Sequence, residues 1–434
     1  MKTNLVAPLI LLTLGSLAHA QLQGATTSTS PSTSPSPGFG FSLPTVEGTM
    51  TYALTASEDL ETGYGTGGAA SQTMLSGDLA YLSSSQTKPF SLVYSGGYMY
   101  TNVPGYPASS TFQNLALSQV VVTRNWNFVV DDAVSYLPQS PIVGLSGIPG
   151  VGDIGVTPVQ IGDQPAQSIL TDYGVSVSNG LNGGVTRQLT GSTSINASAS
   201  WQILRFFSDL GIDSTAEYGT LGLNHRIDAR SSVGASATYS YSSEQYLNLT
   251  LPFTTEGLMF QYQRQWSRAL SMSVSVGPQR TYGTGAAEAF MPAQLDFAAN
   301  AGLTYARKLT SATLTYTRAT NAGSGVIYGA LTDSLSLSAQ RQFSRNWEGA
   351  VTGSYFRSAA LMQVPGFNET YQGVDGSIQA SRKIGRSFSA YASYTALTQS
   401  AITPGVSQNV FSGFSQVFAA GITYSPGPIH PGHF

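Results

Sequence analysis

Side chains able to perform chemistry are scarce in this sequence. There is no cysteine, which removes thiolate catalysis, disulfide bonds and cysteine-bound metal centres. Of the four histidines, His19 lies in an N-terminal apolar segment, His225 abuts Arg226, and His430 and His433 lie close to the last residue. Two imidazoles without a third ligand make a weak metal site, and no G-x-S-x-G, H-E-x-x-H or phosphate-binding loop motif occurs. The sequence therefore predicts a protein that is not an enzyme and has no cofactor and no metal.

The composition indicates a folded chain of unusually low charge. Of its 434 residues, 9% are charged and 41% are hydrophobic, whereas a soluble domain has about 25% charged residues. This hydrophobic content excludes the composition typical of disorder. Because the net charge is −3 and phosphate binding needs a basic surface, nucleic acid is not expected as a partner.

The N-terminal residues have the features of an exported protein. Residues 1–20 contain Lys2, an apolar run over Val6–Leu14 and the small-x-small cleavage pattern of residues 18–20. Residues 21–46 are rich in Ser, Thr and Pro, a composition typical of an extended linker. We therefore expect a signal peptide over residues 1–20, a linker over residues 21–46 and export through the inner membrane.

From residue 47 onwards, apolar and small polar side chains alternate with a period of two, which is typical of β-strands. The segment Gln294–Tyr305 is the clearest case. One of its faces is Leu295, Phe297, Ala299, Ala301, Leu303 and Tyr305, and the other is Gln294, Asp296, Ala298, Asn300, Gly302 and Thr304. Such strands fit either a soluble antiparallel sheet or a membrane barrel.

The positions of the basic residues separate these two alternatives. Of the 19 basic residues, 18 lie after Lys2. Fourteen of these 18 are Lys88 and the basic residues of a short turn motif that begins with Arg. The motif recurs about every 40 residues, as expected for a repeated hairpin. The other four fall toward the opposite ends of the predicted strands: Arg205, Arg280, Arg318 and Arg357. A Lys or Arg at the middle of a lipid-facing surface costs about 2–4 kcal/mol, and the cost falls toward zero at the interfaces. A bilayer therefore explains why the middles of the strands lack basic residues.

The connections between strands also alternate in length. Those at the Arg motif are tight turns, whereas those at the other end are predicted to be long and rich in Gly, Pro and Ala, a difference typical of the periplasmic turns and outer loops of a barrel. Aromatic residues collect near both ends, as in two interfacial girdles. The predicted long loops are Ser57–Ala70, Ser243–Thr254, Pro278–Ala293, Ala319–Gly329, Ser358–Thr370 and Thr398–Asn409.

The last alternating segment, Gln416–Tyr424, ends in an aromatic residue. With this segment and the features above, residues 47–424 resemble the porin-like transmembrane β-barrels of Gram-negative outer membranes. The resemblance implies an all-β, antiparallel up-and-down barrel in the outer membrane, with membrane lipid and the barrel assembly machinery as partners. It also implies that Phe418, Ile422 and Tyr424 form the assembly signal. The tail, residues 425–434, departs from the family, so Phe434 is the alternative signal aromatic.

Counting segments between turn and loop markers predicts about 18 strands, with 16 possible, a range in which a barrel holds an aqueous lumen. The predicted lining is Ser, Thr, Asn, Gln, Gly and Ala, with Asp78 and Asp375 as lumen acids beside Asp296, Asp132 and Glu348. General porins of the family use opposed acidic and basic rows, which this chain lacks. A neutral lining suits a passive pore for small, mostly uncharged hydrophilic solutes. The alternatives are an envelope scaffold or exopolysaccharide export barrel, and a surface adhesin.

The connection over Pro138–Ser168 is much longer than the others and rich in Ile, Val, Pro and Gly. Loops longer than about 12–15 residues are usually functional or disordered, and this loop is too apolar for disorder. We expect it to pack inside the barrel with Asp153 and Asp163 as its charges at a pore constriction. The alternative is a lid across the outer mouth or a contact with a neighbouring subunit.

Replacing residues 141–164 with a short Gly/Ser bridge tests the expected constriction. A loop that narrows the lumen predicts a higher single-channel conductance and a weaker cation preference in the variant. An unchanged conductance in the folded variant would instead assign the loop to a lid or a contact surface.

Overall fold

The computed structural model describes residues 48–63, 69–83, 85, 87–102, 108–138, 175–207, 211–246, 249–323, 326–362, 369–403 and 412–426. The predicted signal peptide and linker, the loop acids Asp153 and Asp163, and Phe434 lie outside these residues. No helix among the described residues is long and apolar enough to cross a membrane. A single 3-10 turn, Gly285–Ala287, accompanies the strands.

Eighteen strands run through the described residues. They are β1 (Gly48–Thr62), β2 (Ala69–Ser83), β3 (Phe90–Thr101), β4 (Ser109–Val122), β5 (Trp126–Pro138), β6 (Val175–Gln188), β7 (Thr193–Phe206), β8 (Asp213–Arg226), β9 (Ser231–Tyr246), β10 (Leu249–Gln265), β11 (Leu270–Gly283), β12 (Gln294–Arg307), β13 (Thr310–Asn321), β14 (Ala330–Gln342), β15 (Trp347–Ala360), β16 (Thr370–Ile384), β17 (Phe388–Thr403) and β18 (Gly413–Tyr424).

The sheet closes on itself. Each strand pairs antiparallel with the next one along the chain, and β18 pairs with β1, where Leu54 lies opposite Tyr424 and Leu60 opposite Phe418. Along Leu54–Thr62 of β1, closure therefore leaves no open sheet edge. The predicted antiparallel up-and-down barrel of 18 strands is confirmed, and the alternative of 16 strands is wrong.

The period of two in the sequence becomes two faces of the barrel wall. In β12, Leu295 and Phe297 are exposed on the outside, whereas Ala298 is buried on the inside. The register carries this division from strand to strand, because outward residues pair with outward residues. Leu303 of β12 lies opposite Leu314 of β13, which in turn lies opposite Leu337 of β14.

The two edges of the barrel differ in their connections. At the edge that carries the Arg motif, the connection between β4 and β5 and every connection from β6–β7 onwards is two to four residues long. The opposite edge has longer ones, but two predicted loops are wrong. Strand β1 continues to Thr62, and β9 and β10 are joined by residues 247–248 alone because Glu244 pairs with Leu251. In both places the alternation continues past the Gly and Pro residues that marked a loop.

The four-residue turns share one capping arrangement. A Ser, Thr or Asp at the second position accepts hydrogen bonds from backbone N–H groups two or three residues later, as turn residues of this kind do. Ser267 Oγ accepts from the N–H of Ala269 and Leu270 at 3.2 and 3.1 Å, and Asp228 accepts from the N–H of Arg230 at 2.6 Å. The bond from Arg230 lowers the pKa of Asp228. These caps hold the turns short and fix the register of each hairpin.

The orientation of the barrel can be tested with single cysteines, since the chain has none. Ala289 lies in the β11–β12 connection and Ala229 in the β8–β9 turn, and both are exposed. In intact cells, a membrane-impermeant maleimide should label Ala289→Cys, whereas Ala229→Cys should be labelled only after the outer membrane is permeabilised. The reverse labelling pattern would contradict an orientation with the Arg turns in the periplasm.

Candidate functional site

The outer face of the barrel is a continuous apolar belt. Its large hydrophobic side chains are exposed along the whole circumference, far beyond the few hundred Å² of apolar patch that a soluble monomer presents to water. Members of this belt include Leu54, Leu75, Val130, Leu221, Leu258, Phe260, Val276, Leu335, Leu337, Val351, Ile378 and Ile422. Lipid is the environment in which such a face is stable.

Arginine–aromatic pairs border this belt at both edges. At the edge with short turns, the guanidinium of Arg187 lies 5.0 Å from the ring of Trp126, and that of Arg382 lies 5.6 Å from the ring of Trp347. At the other edge, Arg318 lies 4.7 Å from the ring of Phe297. Cations and aromatic rings of this kind are favourable at a lipid–water interface. The predicted aromatic girdle is therefore present at the edge with short turns. At the loop edge the prediction is wrong in part, because Phe253 and Tyr371, two aromatic residues expected there, face inward and are buried.

The four arginines at the loop edge all lie on outward faces. Arg318 forms a salt bridge with Asp333 at 2.7 Å, and the Tyr316 hydroxyl donates a hydrogen bond to the same carboxylate at 2.8 Å. The other three also have acidic neighbours: Arg205 lies 3.7 Å from Asp213, Arg280 is in register with Glu256, and Arg357 is in register with Asp333. Pairing reduces the cost of placing these charges near lipid.

Asp132 was predicted as a lumen acid, and this assignment is wrong. The alternation of β5 places Asp131 inward and Asp132 outward, with Leu117 and Leu181 as its register neighbours on the adjacent strands. The Asn179 side-chain amide, also on the outside, donates a hydrogen bond to Asp132 at 2.7 Å. This donor partly compensates a carboxylate on an otherwise apolar surface.

The inner face is lined by small polar side chains that bond to each other across strands. The hydroxyl pairs are Thr55 with Thr423, Thr255 with Thr281, and Thr332 with Ser358, each at 3.0 Å. Amides join this network, since Ser135 donates to Asn114 at 2.7 Å and Asn224 donates to Asn196 at 3.2 Å. The wall of the lumen is thus a surface of hydroxyl and amide groups, as the alternation indicated.

The predicted acids Asp78 and Asp375 both lie on the inner face, in β2 and β16, as do Asp296 and Glu348. Asp78 is buried, and Asp375 accepts a hydrogen bond from Ser354. The loop acids Asp153 and Asp163 lie outside the described residues, so their place at a constriction stays a prediction.

Sequence reasoning missed four further inward acids. Asp59 and Glu61 lie on the inner face of β1, Asp131 on that of β5 and Glu244 on that of β9. Three of them fell in segments predicted as loops. The signal was nevertheless present, because the alternation of Leu54, Ala56, Glu58 and Leu60 with Thr55, Ser57, Asp59 and Glu61 runs on without interruption.

Basic side chains are almost absent from the inner face of the described strands. Only Arg226 and Lys383 point inward, and both stand at the turn ends of their strands. Nine arginines of the strands lie on outward faces: Arg187, Arg205, Arg264, Arg280, Arg307, Arg318, Arg341, Arg357 and Arg382. Carboxylates therefore dominate the charge of the lumen wall.

Two apolar clusters lie inside the barrel at the edge with the longer connections. In one, loop residues Met291, Tyr328 and Leu361 pack against the inward Leu251 and Phe253 of β10. In the other, Val326 and Ile327 pack with the inward Phe356 of β15 and Tyr371 of β16. Described residues of the connections that follow β11, β13 and β15 thus pack against the inner face of the wall at this edge.

The predicted assembly residues Phe418, Ile422 and Tyr424 all face outward on β18, beside the seam with β1. The ring of Phe418 lies 4.8 Å from that of Tyr394, and the ring of Tyr424 lies 5.1 Å from that of Phe388. An exposed aromatic ridge at the terminal strand fits the predicted role, which stays a prediction.

His225 lies at the turn end of β8, where its Nδ1 is 3.0 Å from Thr193 Oγ1. The alternation places it on the outer face, away from the lumen. Among the residues that the structure describes, no group of three or more acidic or histidine side chains is arranged to hold a metal ion.

A closed antiparallel barrel with an apolar outer belt, aromatic girdles and a polar interior is the architecture of an outer-membrane β-barrel.

No protein-family model and no curated protein matches the chain. It is similar to solved structures from Pseudomonas aeruginosa. OccK2 (OpdF), solved in complex with glucuronate, is 11% identical with a TM-score of 0.43, over 88% of this chain and 98% of that one. The outer membrane protein OpdK is 9% identical with a TM-score of 0.39, over 87% and 97%. These likenesses concern the barrel fold alone.

Two adjacent residues in the middle of β14 test which face meets lipid. Leu337 points outward and Ser338 inward. Leu337→Arg should lower the free energy of unfolding by about 2–4 kcal/mol, because it places a guanidinium near the bilayer midplane. Ser338→Arg should change it by no more than about 0.5 kcal/mol, as expected for a solvated surface. Urea titration of the barrel in lipid vesicles measures both values, and equal losses would contradict the assignment of faces.

Proposed function

We propose that this protein is a passive pore of the outer membrane for small, mostly uncharged hydrophilic solutes. The observation that carries the proposal is the cross-strand network of hydroxyl and amide groups on the inner face of an 18-stranded barrel. Barrels of 16–18 strands leave an aqueous channel. A solute in this lumen can exchange hydrogen bonds with water for bonds to the wall, which is the basis of permeation without tight binding.

The charge of the wall supports uncharged solutes as the main class. A row of basic groups opposite the acids would create a strong electric field across the lumen. The described inner faces carry only two basic residues, Arg226 and Lys383, both at the turn ends of their strands. Hydroxyl, amide and glycine groups make up most of the remaining wall. Such a lining fits neutral polyols and sugars better than it fits anions, which would meet the inward carboxylates.

The outer mouth is the expected selectivity region. The apolar clusters around Phe253 and Phe356 narrow it from one side, and the connection over residues 138–168, with Asp153 and Asp163, is proposed to narrow it further. In this proposal, the wide part of the channel lies toward the turn edge, and the size limit on solutes is set near the loops.

Conductance measurements with paired cysteine variants test the pore. Purified protein in planar bilayers should give discrete conductance steps, and liposomes containing it should swell in isotonic solutions of small sugars. Inward Ser338→Cys should respond to a bulky water-soluble thiol reagent with a smaller conductance step, because the added group occupies the lumen. Outward Ala339→Cys, its neighbour on the lipid face, serves as the matched control and should not respond.

Folding is verified by the change in gel mobility on heating. A correctly folded protein without conductance steps or swelling would contradict the pore. That result would leave the envelope scaffold, the export barrel and the surface adhesin, which are separated by testing whether deletion abolishes surface polymer or surface adhesion.

A further inference from the structure

We propose that the lumen contains a subsite for organic cations, formed at the loop ends of β1 and β2 around the carboxylates of Asp59 and Glu61. The ligand class is a small solute that carries a protonated amine beside an apolar group. This inference rests on the proposed pore and adds one class of retained solute to the uncharged molecules that pass freely.

The two carboxylates share one face and one level of the barrel. Residues two apart on a strand point the same way, about 6.6 Å apart along the strand. Asp59 lies opposite Gln72 of β2 and Ala419 of β18, and Glu61 opposite Val417 of β18. The exposed fraction of Asp59 is 5% and that of Glu61 is 2%, so both acids are withdrawn from bulk water.

The hydrogen bonds around these acids are incomplete. Glu61 accepts one from Ser415 Oγ at 3.0 Å, whereas Asp59 Oδ1 and the neighbouring Ser57 Oγ have no partner among the described residues. The side-chain amide of Gln72 donates to the sulfur of Met99 at 3.0 Å. A buried carboxylate oxygen without a donor is costly, and an ammonium group supplies the missing donors and the opposite charge together.

No basic side chain on the described inner faces lies where it could pair with Asp59 or Glu61. The inward basic residues, Arg226 and Lys383, stand at the opposite edge of the barrel from the loop ends of β1 and β2. Further inward carboxylates, including Asp78 and Asp375, give the lumen a negative potential that raises the local concentration of cations. The missing partner of Asp59 is therefore expected to come from the solute.

An apolar wall adjoins the carboxylates. Met74, Met99 and Phe112 form a buried cluster on the inner faces of β2, β3 and β4, and Met74 lies opposite Ser57 in register. The Gln72–Met99 hydrogen bond links this cluster to the acidic pair. Thioether and aromatic groups are favourable neighbours for a cation with apolar substituents, so the combination fits an organic amine better than a bare metal ion.

The test uses benzylammonium as the probe, with benzyl alcohol as its neutral analogue. Added to planar bilayers containing the wild-type pore, benzylammonium should block the conductance, and benzyl alcohol should not. The double variant Asp59→Asn and Glu61→Gln keeps the size of both side chains and should weaken the block at least tenfold. Glu58→Gln, which removes the neighbouring carboxylate on the outer face, should leave the block unchanged.

The outcomes separate the subsite from the pore itself. Equal block of wild type and double variant, or equal block by benzyl alcohol, would overturn the subsite while leaving the pore intact. A Mg²⁺ block that is stronger than the benzylammonium block and is lost in the same double variant would replace the organic-cation site with a metal site. If no conductance is seen at all, the proposed pore fails, and calorimetric titration of the detergent-solubilised barrel with benzylammonium still decides whether the two carboxylates bind the cation.

Discussion

The hydrogen-bonding requirement of the backbone within a bilayer governs this structure. Water is absent from the hydrocarbon region, so every N–H and C=O group there must find its partner within the protein. The pairing of β18 with β1 serves this requirement, since it joins the first and last strands of the sheet along Leu54–Thr62. Where the backbone is paired, the two faces of the wall differ only in their side chains. Side chains that alternate between apolar and polar with a period of two give each face its own character.

The same requirement sorts the charges. Guanidinium groups lie at the two edges of the outer belt, where Arg187 and Arg382 contact aromatic rings and Arg318 pairs with Asp333. Most carboxylates lie inside, where the lumen can solvate them. The chain thus has nearly balanced formal charge but opposite signs on the two sides of its wall. Several acids nevertheless face outward, among them Glu58 and the arginine partners Asp213, Glu256 and Asp333. Asp132 also faces outward, beside Leu117 and Leu181, and the amide of Asn179 donates a hydrogen bond to it there.

The fold was predictable because it depends on local patterns. The alternation of apolar and polar residues predicted the strands, and the spacing of the Arg motif predicted the hairpins. The number of strands followed from these two patterns. Asp59, Glu61 and Glu244 were missed because nearby Gly and Pro residues were given more weight than the alternation that continued through them. The apolar mouth was beyond prediction for a different reason. Met291, Tyr328 and Leu361 meet only because three separate connections fold over the same part of the lumen, and no local pattern in the sequence encodes that encounter.

The long β9–β10 hairpin distinguishes one part of the loop edge from the rest. These strands have 16 and 17 residues, against 12 for β13, and two residues connect them. Because Phe253 of β10 lies opposite Gly283, the last residue of β11, residues 249–252 of β10 pair with β9 beyond the end of β11. At a rise of about 3.4 Å per residue, this part of the hairpin is longer than its neighbour on that side. A foreign peptide inserted between these two strands would be joined to the barrel by a hydrogen-bonded stalk. In the proposed orientation, with the Arg turns in the periplasm, the hairpin is therefore a suitable place for displaying epitopes or enzymes on living cells.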